Sequence, residues 1–133
     1  MLVTGSFLAI FIGLVHSYLG ERFILTRLFK RELPTILGSD CFTKRILRFA
    51  WHLTTVAWWG FAAILFILSS PTVDIQKQIL MVISVVFLVS GLLSAGFTKG
   101  KHISWIFFWL MAGLSFYVAQ RSQEVKGTQY AGR

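Results

Sequence analysis

Four stretches of the chain, residues 2–19, 46–69, 75–97 and 103–120, are almost unbroken runs of apolar side chains, and what separates them is short or basic. Each is close to the roughly 20 residues that carry an α-helix across a bilayer. The run Ser-Ser-Pro-Thr-Val-Asp after the second stretch offers a breaker at Pro71 and helix-start chemistry at Thr72 and Asp74. The Thr-Lys-Gly-Lys link after the third is tighter still. Connections this short make consecutive helices antiparallel neighbours. The pattern therefore predicts an all-α protein, an integral membrane four-helix bundle of up-down-up-down topology. The first stretch has no basic leader and ends in HSYLGER, not in a small-residue cleavage site, so it reads as a retained helix and not as a signal peptide.

The longest interruption, residues 20–45, contains ERFILTRLFKRELP. A helical projection places Ile24, Leu25, Leu28 and Phe29 on one side and Arg22, Thr26, Arg27, Lys30 and Arg31 around the other. That predicts an amphipathic segment lying in the headgroup plane as far as Pro34. Ser39 or Asp40 then suits the N-cap of a helix that runs without a break into the second span. The chain reads as one transmembrane domain over residues 1–120, followed by a polar, patternless tail over 121–133.

Composition supports membrane residence: 133 residues, 56% hydrophobic, 14% charged and a mean hydropathy of +0.71, against about a quarter charged in soluble domains. The net charge of +8 does not imply nucleic acid, because the basic residues crowd beside apolar runs, where anionic headgroups are the nearer partner. Arg22, Arg27, Lys30, Arg31, Lys44, Arg45, Arg48, Lys99 and Lys101 fall on one side, and only Lys77, Arg121, Lys126 and Arg133 on the other. This bias places the 20–45 loop in the cytoplasm and both termini outside it. Arg22, Arg27, Lys30, Arg31, Arg45 and Arg48 are the expected lipid-headgroup residues. The single Cys41 excludes an internal disulfide and any paired-cysteine zinc or redox motif.

Candidate chemistry rests on three histidines. On the first helix Gly5, Ala9, Gly13, His16 and Gly20 share about an 80° arc. Small residues at that spacing admit a second helix, so His16 faces protein. The same projection groups Arg48, His52, Thr55, Trp59 and Phe66 on the second helix, and His102, Trp105, Trp109, Gly113, Phe116 and Gln120 on the fourth. His16, His52 and His102 all lie within a turn or two of the predicted cytoplasmic edge. If the bundle closes, they converge there with Glu21 in reach, as a cofactor-binding pocket for haem or for a transition metal. Arg45 and Arg48 would then meet haem propionates or lipid phosphates.

A plainer reading makes the histidines packing residues, hydrogen-bonded to Ser17, Thr55 or Ser104. The protein would then be an accessory or scaffolding subunit of a larger membrane complex, or a homo-oligomer, with no chemistry of its own. No HxxxH or HExxH spacing, Walker loop or GxGxxG occurs. All five acids lie outside the predicted spans, against a proton-coupled carrier. Cys41 and His52 stand about 16 Å apart on a continuous helix, too far for a dyad. Gly91, Ser94 and Ala95 make a close-packing face on the third helix.

The strings HSYLGER, GSDCFTKRILRFAWHLT and VAWWGFAA, in roughly the first half of the chain, resemble those of a group of small bacterial inner-membrane proteins. The resemblance implies a bacterial plasma-membrane location. It implies no activity and no catalytic residue.

Overall fold

The computed structural model describes residues 1–35, 39–70 and 74–131, with side chains as far as Ser122. Its elements are α1 (Leu2–Leu19), a π-helical segment (Gly20–Leu25), α2 (Thr26–Leu28), α3 (Asp40–Leu68), α4 (Ile75–Thr98) and α5 (Ser104–Ala131). The described residues are thus all-helical, with four long helices. Three of them, Leu2–Leu28, Asp40–Leu68 and Ile75–Thr98, are long and apolar enough to cross a membrane. The stretch of α5 read as a fourth span is helical but less apolar, since glycine, serine, tyrosine and tryptophan dilute it and Gln120 and Arg121 close it. Pro71, Thr72 and most side chains of the 121–133 tail lie outside the described residues, and the α5 backbone is helical into that tail.

The first helix does not stop at Leu19, ahead of the separate amphipathic segment expected in the 20–45 connection. It continues as one rod to Leu28, because no residue of GERFILTRL breaks a helix and Pro34 comes only later. One extra residue is absorbed in the π-helical turn, closed by the Thr26 hydroxyl donating to the Glu21 carbonyl. Residues 29–35 then return along the start of α3. The Leu33 N–H donates to Asp40 Oδ1 at 3.1 Å, and the Thr43 hydroxyl to the Pro34 carbonyl at 2.7 Å. Ser39 caps α3 from an extended conformation (φ −149°), its hydroxyl accepting from the Phe42 N–H at 3.1 Å. At the end of α4, Lys99 takes the left-handed conformation (φ 53°), and the Gly100 N–H closes the helix on the Ala95 carbonyl at 2.9 Å.

The long helices pack in chain order: α1 on α3, α3 on α4, α4 on α5. On α1 and α3, Ser6 donates to the Ala62 carbonyl, Gly13 lies beneath Trp59, Ser17 meets His52 and Gly20 lies beneath Trp51, so residue numbers fall along one helix as they rise along the other. Gly60 likewise faces Val86 on α4, and the His52 ring lies 6.1 Å from that of Phe97. On α4 and α5, Ser84 donates to the Ala112 carbonyl at 2.8 Å, Gly91 lies beneath Trp109, and Ser94 and Ser104 share a bond of 2.7 Å.

On α4 and α5 the buried positions are small. They include Ser84, Ser90, Gly91, Ser94 and Thr98 on α4 and Ala112, Ser115 and Ala119 on α5, whereas Phe7, Phe11, Phe61, Phe107 and Leu114 are exposed. This inversion suits helices apolar enough to cross a membrane, since lipid tails accept large apolar side chains and only small residues let backbones come close. It also corrects the face assigned to α5. Ala112, Ser115 and Ala119 turn toward α4, while Gly113, Phe116 and Gln120 are exposed.

Among the described residues the first and last helices do not close on one another. Among the described residues no Cα of α1 comes within 8 Å of α4 or α5, nor any of α3 within 8 Å of α5. The Phe108 ring of α5 reaches further, 6.1 Å from Phe87 of α4 and 6.3 Å from Phe49 of α3. Among the described residues the four long helices form an open layer with α1 and α5 as its edges.

Candidate functional site

The open layer decides what the three histidines can share. His16 stacks on Trp51, the rings 4.5 Å apart and 2° from parallel, and its Nε2 pairs with the Thr54 hydroxyl at 2.9 Å. The Trp51 indole N–H donates back to the His16 carbonyl at 3.1 Å. This arrangement exists because Gly20, one turn on from His16, has no side chain where the Trp51 indole lies. His102 sits in the turn between α4 and α5, its Nδ1 2.7 Å from the Ser104 hydroxyl, and its backbone N–H reaches Thr98. It organises a helix start. Among the described residues no group of three or more histidine, cysteine, aspartate or glutamate side chains is placed to hold a metal ion. His16, His52, His102 and Glu21 are therefore not gathered as one ligand set. Only His52 and Glu21 meet.

They meet in a compact polar cluster where α1 enters its π-helical turn against the first half of α3. His52 Nδ1 lies 2.8 Å from the Ser17 hydroxyl and Nε2 lies 3.4 Å from Glu21 Oε2. Arg48, one turn before His52, clamps the same carboxylate: Nη2 is 2.7 Å from Oε1 and the Nε–H donates to Oε2 at 3.2 Å. The guanidinium also covers the Phe29 ring at 5.1 Å, and Phe97 of α4 backs the imidazole at 6.1 Å. His52 is largely enclosed, its side chain 23% exposed, while Glu21 and Arg48 are 38% and 39% exposed.

A carboxylate only accepts. In the tautomer with the proton on Nε2, the imidazole faces Glu21 with its N–H and leaves Nδ1 to accept from the Ser17 hydroxyl. The cluster joins a hydroxyl, an imidazole and a carboxylate fixed by a guanidinium.

Arg48, expected among the lipid-facing cations, is committed to Glu21. Arg22, Arg27, Lys30 and Arg31 are exposed and Arg45 half-buried. Ile24, Arg27, Leu28 and Arg31 line an open groove of about 280 Å³ on the helical extension. Two larger grooves, of about 460 and 540 Å³, flank Trp59 and are lined almost wholly by apolar side chains such as Val85, Val86, Ile10 and Phe66.

The hydroxyl was within reach of sequence reasoning. Ser17 and Glu21 stand four apart, on one face of a helix, but Ser17 entered only as a packing partner and Glu21 as a loop carboxylate. Thr54 carried no signal, and Phe29 entered only as part of the apolar side of the amphipathic segment. Compared with known proteins, the chain matches no family model, no curated protein and no solved structure.

Proposed function

We propose that the protein is a multi-pass protein of the bacterial inner membrane that binds anionic lipid headgroups at its basic, cytoplasmic end. In this reading all four long helices cross the bilayer up-down-up-down and both termini lie outside. The register of α5 against α4, from Ser94–Ser104 to Ser84–Ala112, supports α5 as a fourth span, because it runs beside a spanning helix over much of its length. The observation that carries headgroup binding is the groove of Ile24, Arg27, Leu28 and Arg31. It pairs two guanidinium groups, which suit phosphate oxygens, with two aliphatic side chains that suit the adjoining acyl chain. Replacing Arg22, Arg27, Lys30 and Arg31 with Gln is expected to abolish retention of phosphatidylglycerol in native mass spectrometry while the helical content is kept, since each such charge is worth about 1 kcal/mol near an anionic surface. Unchanged retention would refute the assignment.

The accessory-subunit reading has one observation in its favour. The layer leaves α1 and α5 as open edges, with Phe7, Phe11 and Leu14 on one and Phe107, Leu110 and Leu114 on the other exposed. A haem or metal held by His16, His52 and His102 is supported least, because both ring nitrogens of His52 are already engaged.

A further inference from the structure

Ser17, His52 and Glu21 stand in the relation of a nucleophile, its general base and the group that orients the base. Oγ of Ser17 is 2.8 Å from His52 Nδ1, inside the distance over which a hydroxyl proton passes to an imidazole. The opposite ring nitrogen faces Glu21 at 3.4 Å, and Arg48 grips that carboxylate through two of its nitrogens. Helix packing in lipid has no need of this arrangement. Elsewhere in the layer a hydroxyl against a carbonyl or a second hydroxyl is enough, as at Ser6, Ser84 and Ser94. Three ionisable side chains spent on one interface, with Ser17 and His52 both partly accessible, ask for another use.

Depth points to the substrate. Ser17 precedes Arg22 by five residues, so it lies about 7 Å nearer the membrane centre than the first cation of the headgroup-binding end. In a bilayer whose phosphates meet Arg22, the cation of that end nearest the membrane centre, the level just beneath it is that of the ester carbonyls joining fatty acids to glycerol. We propose that Ser17 is the nucleophile of an acyl-ester hydrolase acting on glycerophospholipids, with His52 as general base and Glu21 and Arg48 as positioning residues. The choice of a lipid ester rests on the headgroup-binding reading above; the nucleophile itself does not.

In the first step Ser17 Oγ bonds to the ester carbonyl carbon as its proton moves to His52 Nδ1. The tetrahedral adduct collapses by breaking the bond between that carbon and the glycerol oxygen, which leaves with the proton from His52. The acyl group is then esterified to Ser17. A water molecule, giving its proton to the same nitrogen, attacks the carbonyl carbon, and Ser17 leaves as the hydroxyl on taking the proton back. One ester and one water become one fatty acid and one alcohol, with no change of oxidation state. Glu21 holds the Nε2–H tautomer throughout and faces the imidazolium that forms between proton transfers.

The test is phosphonylation by a long-chain alkyl fluorophosphonate, whose phosphorus takes the place of the carbonyl carbon and loses fluoride to a serine nucleophile. The full-length protein in nanodiscs of phosphatidylethanolamine and phosphatidylglycerol is expected to gain one phosphonyl group, mapped to Ser17, and to release fatty acid from the phosphatidylglycerol. Ser17→Ala should abolish the label, His52→Gln should slow it at least about 100-fold, and Glu21→Gln about 10-fold with an altered pH profile, which a purely structural role would not move. Should Ser17→Ala fail to fold, Ser17→Cys in a Cys41→Ser background gives a second reading: a long-chain iodoacetamide should alkylate it faster when His52 is present than in the His52→Gln protein. Absence of labelling, a label elsewhere, or wild-type labelling no faster than that of Ser17→Ala overturns the nucleophile. Phosphonylation that persists in a protein with Arg22, Arg27, Lys30 and Arg31 replaced by Gln, and that no longer retains phosphatidylglycerol, supports the nucleophile and separates it from the headgroup reading. Phosphonylation of Ser17 without fatty-acid release overturns the lipid-ester assignment.

Discussion

The interface of α1 with α3 and that of α4 with α5 meet the same requirement by different chemistry. In the reading that places these helices in lipid, both must bring two helices together in a solvent that gives apolar side chains no reason to associate. Between α4 and α5 the answer is uniform: small residues let the backbones close, and Ser84 and Ser94 of α4 spend their hydroxyls on the Ala112 carbonyl and the Ser104 hydroxyl of α5. Between α1 and α3 the same device serves the half with Ser6 and Gly13. The other half, toward the basic end, changes to Trp51 stacked on His16 and to the Ser17–His52–Glu21–Arg48 cluster. The neutral interface shows what packing alone demands. Whatever the α1–α3 interface holds beyond that is the part of the molecule that packing does not explain.

The largest test of the shared device is to fill the glycines. A Cβ at Gly20 would fall within the Trp51 indole and one at Gly91 within that of Trp109, whereas Gly113 faces open space. Gly20→Ala and Gly91→Ala should each lower the unfolding free energy in detergent-titrated unfolding by about 1–3 kcal/mol, and Gly113→Ala should change it by less than about 0.5 kcal/mol. Equal losses at all three would mean that the two interfaces are not closed by glycine beneath tryptophan.

Next in size is the contrast between neutral and charged bonds. Ser84→Ala should cost about 0.6–1.7 kcal/mol at any ionic strength. A double-mutant cycle between Glu21→Gln and Arg48→Gln should give a coupling of about 0.6 kcal/mol at low salt that shrinks as salt rises, because both side chains are over a third exposed. A salt-insensitive coupling would place the ion pair in the same class as the serines. The smallest expected effect is a gain. Lys99→Gly should stabilise the protein by about 0.5–1 kcal/mol in the same unfolding assay, since Lys99 holds a left-handed conformation (φ 53°) that glycine adopts without steric cost.

Which helices form was readable from local chemistry, and which helices touch was not. Apolar runs of spanning length announce themselves, and the cap at Ser39 follows from one side chain and the amide three residues on. Helical projection also picked out the α1 face of Gly5, Gly13 and Gly20 and the α4 face of Gly91 and Ser94, because small residues recurring at a helical period mark where a second backbone comes close. It failed on α5, where aromatic residues beside Gly113 outweighed the quieter series Ala112, Ser115, Ala119. The gathering of His16, His52 and His102 assumed that the first and last helices meet. No periodicity within a helix contains that information: the same four faces build a closed bundle or a layer, and here they build a layer. The cluster at Ser17 was legible only in part. Ser17 and Glu21 lie one turn apart on one helix, but their convergence on His52 depends on the register between two helices.

The wide turn at Gly20–Leu25 makes the first helix behave as two helices out of phase. Each π turn holds one residue more than α-helical winding allows, so everything after it is rotated by about 100° from where an uninterrupted α-helix would carry it. Glu21 belongs to the phase set by α1, and Arg27 and Arg31 to the phase that follows. The insertion is what permits one rod to aim a carboxylate inward at His52 and, within two turns, to line an outward groove with guanidinium groups. Single-residue deletion between Phe23 and Leu25 would restore plain α-helical winding and bring the two phases into step, and the rod could then keep its inward carboxylate or its outward groove, but not both.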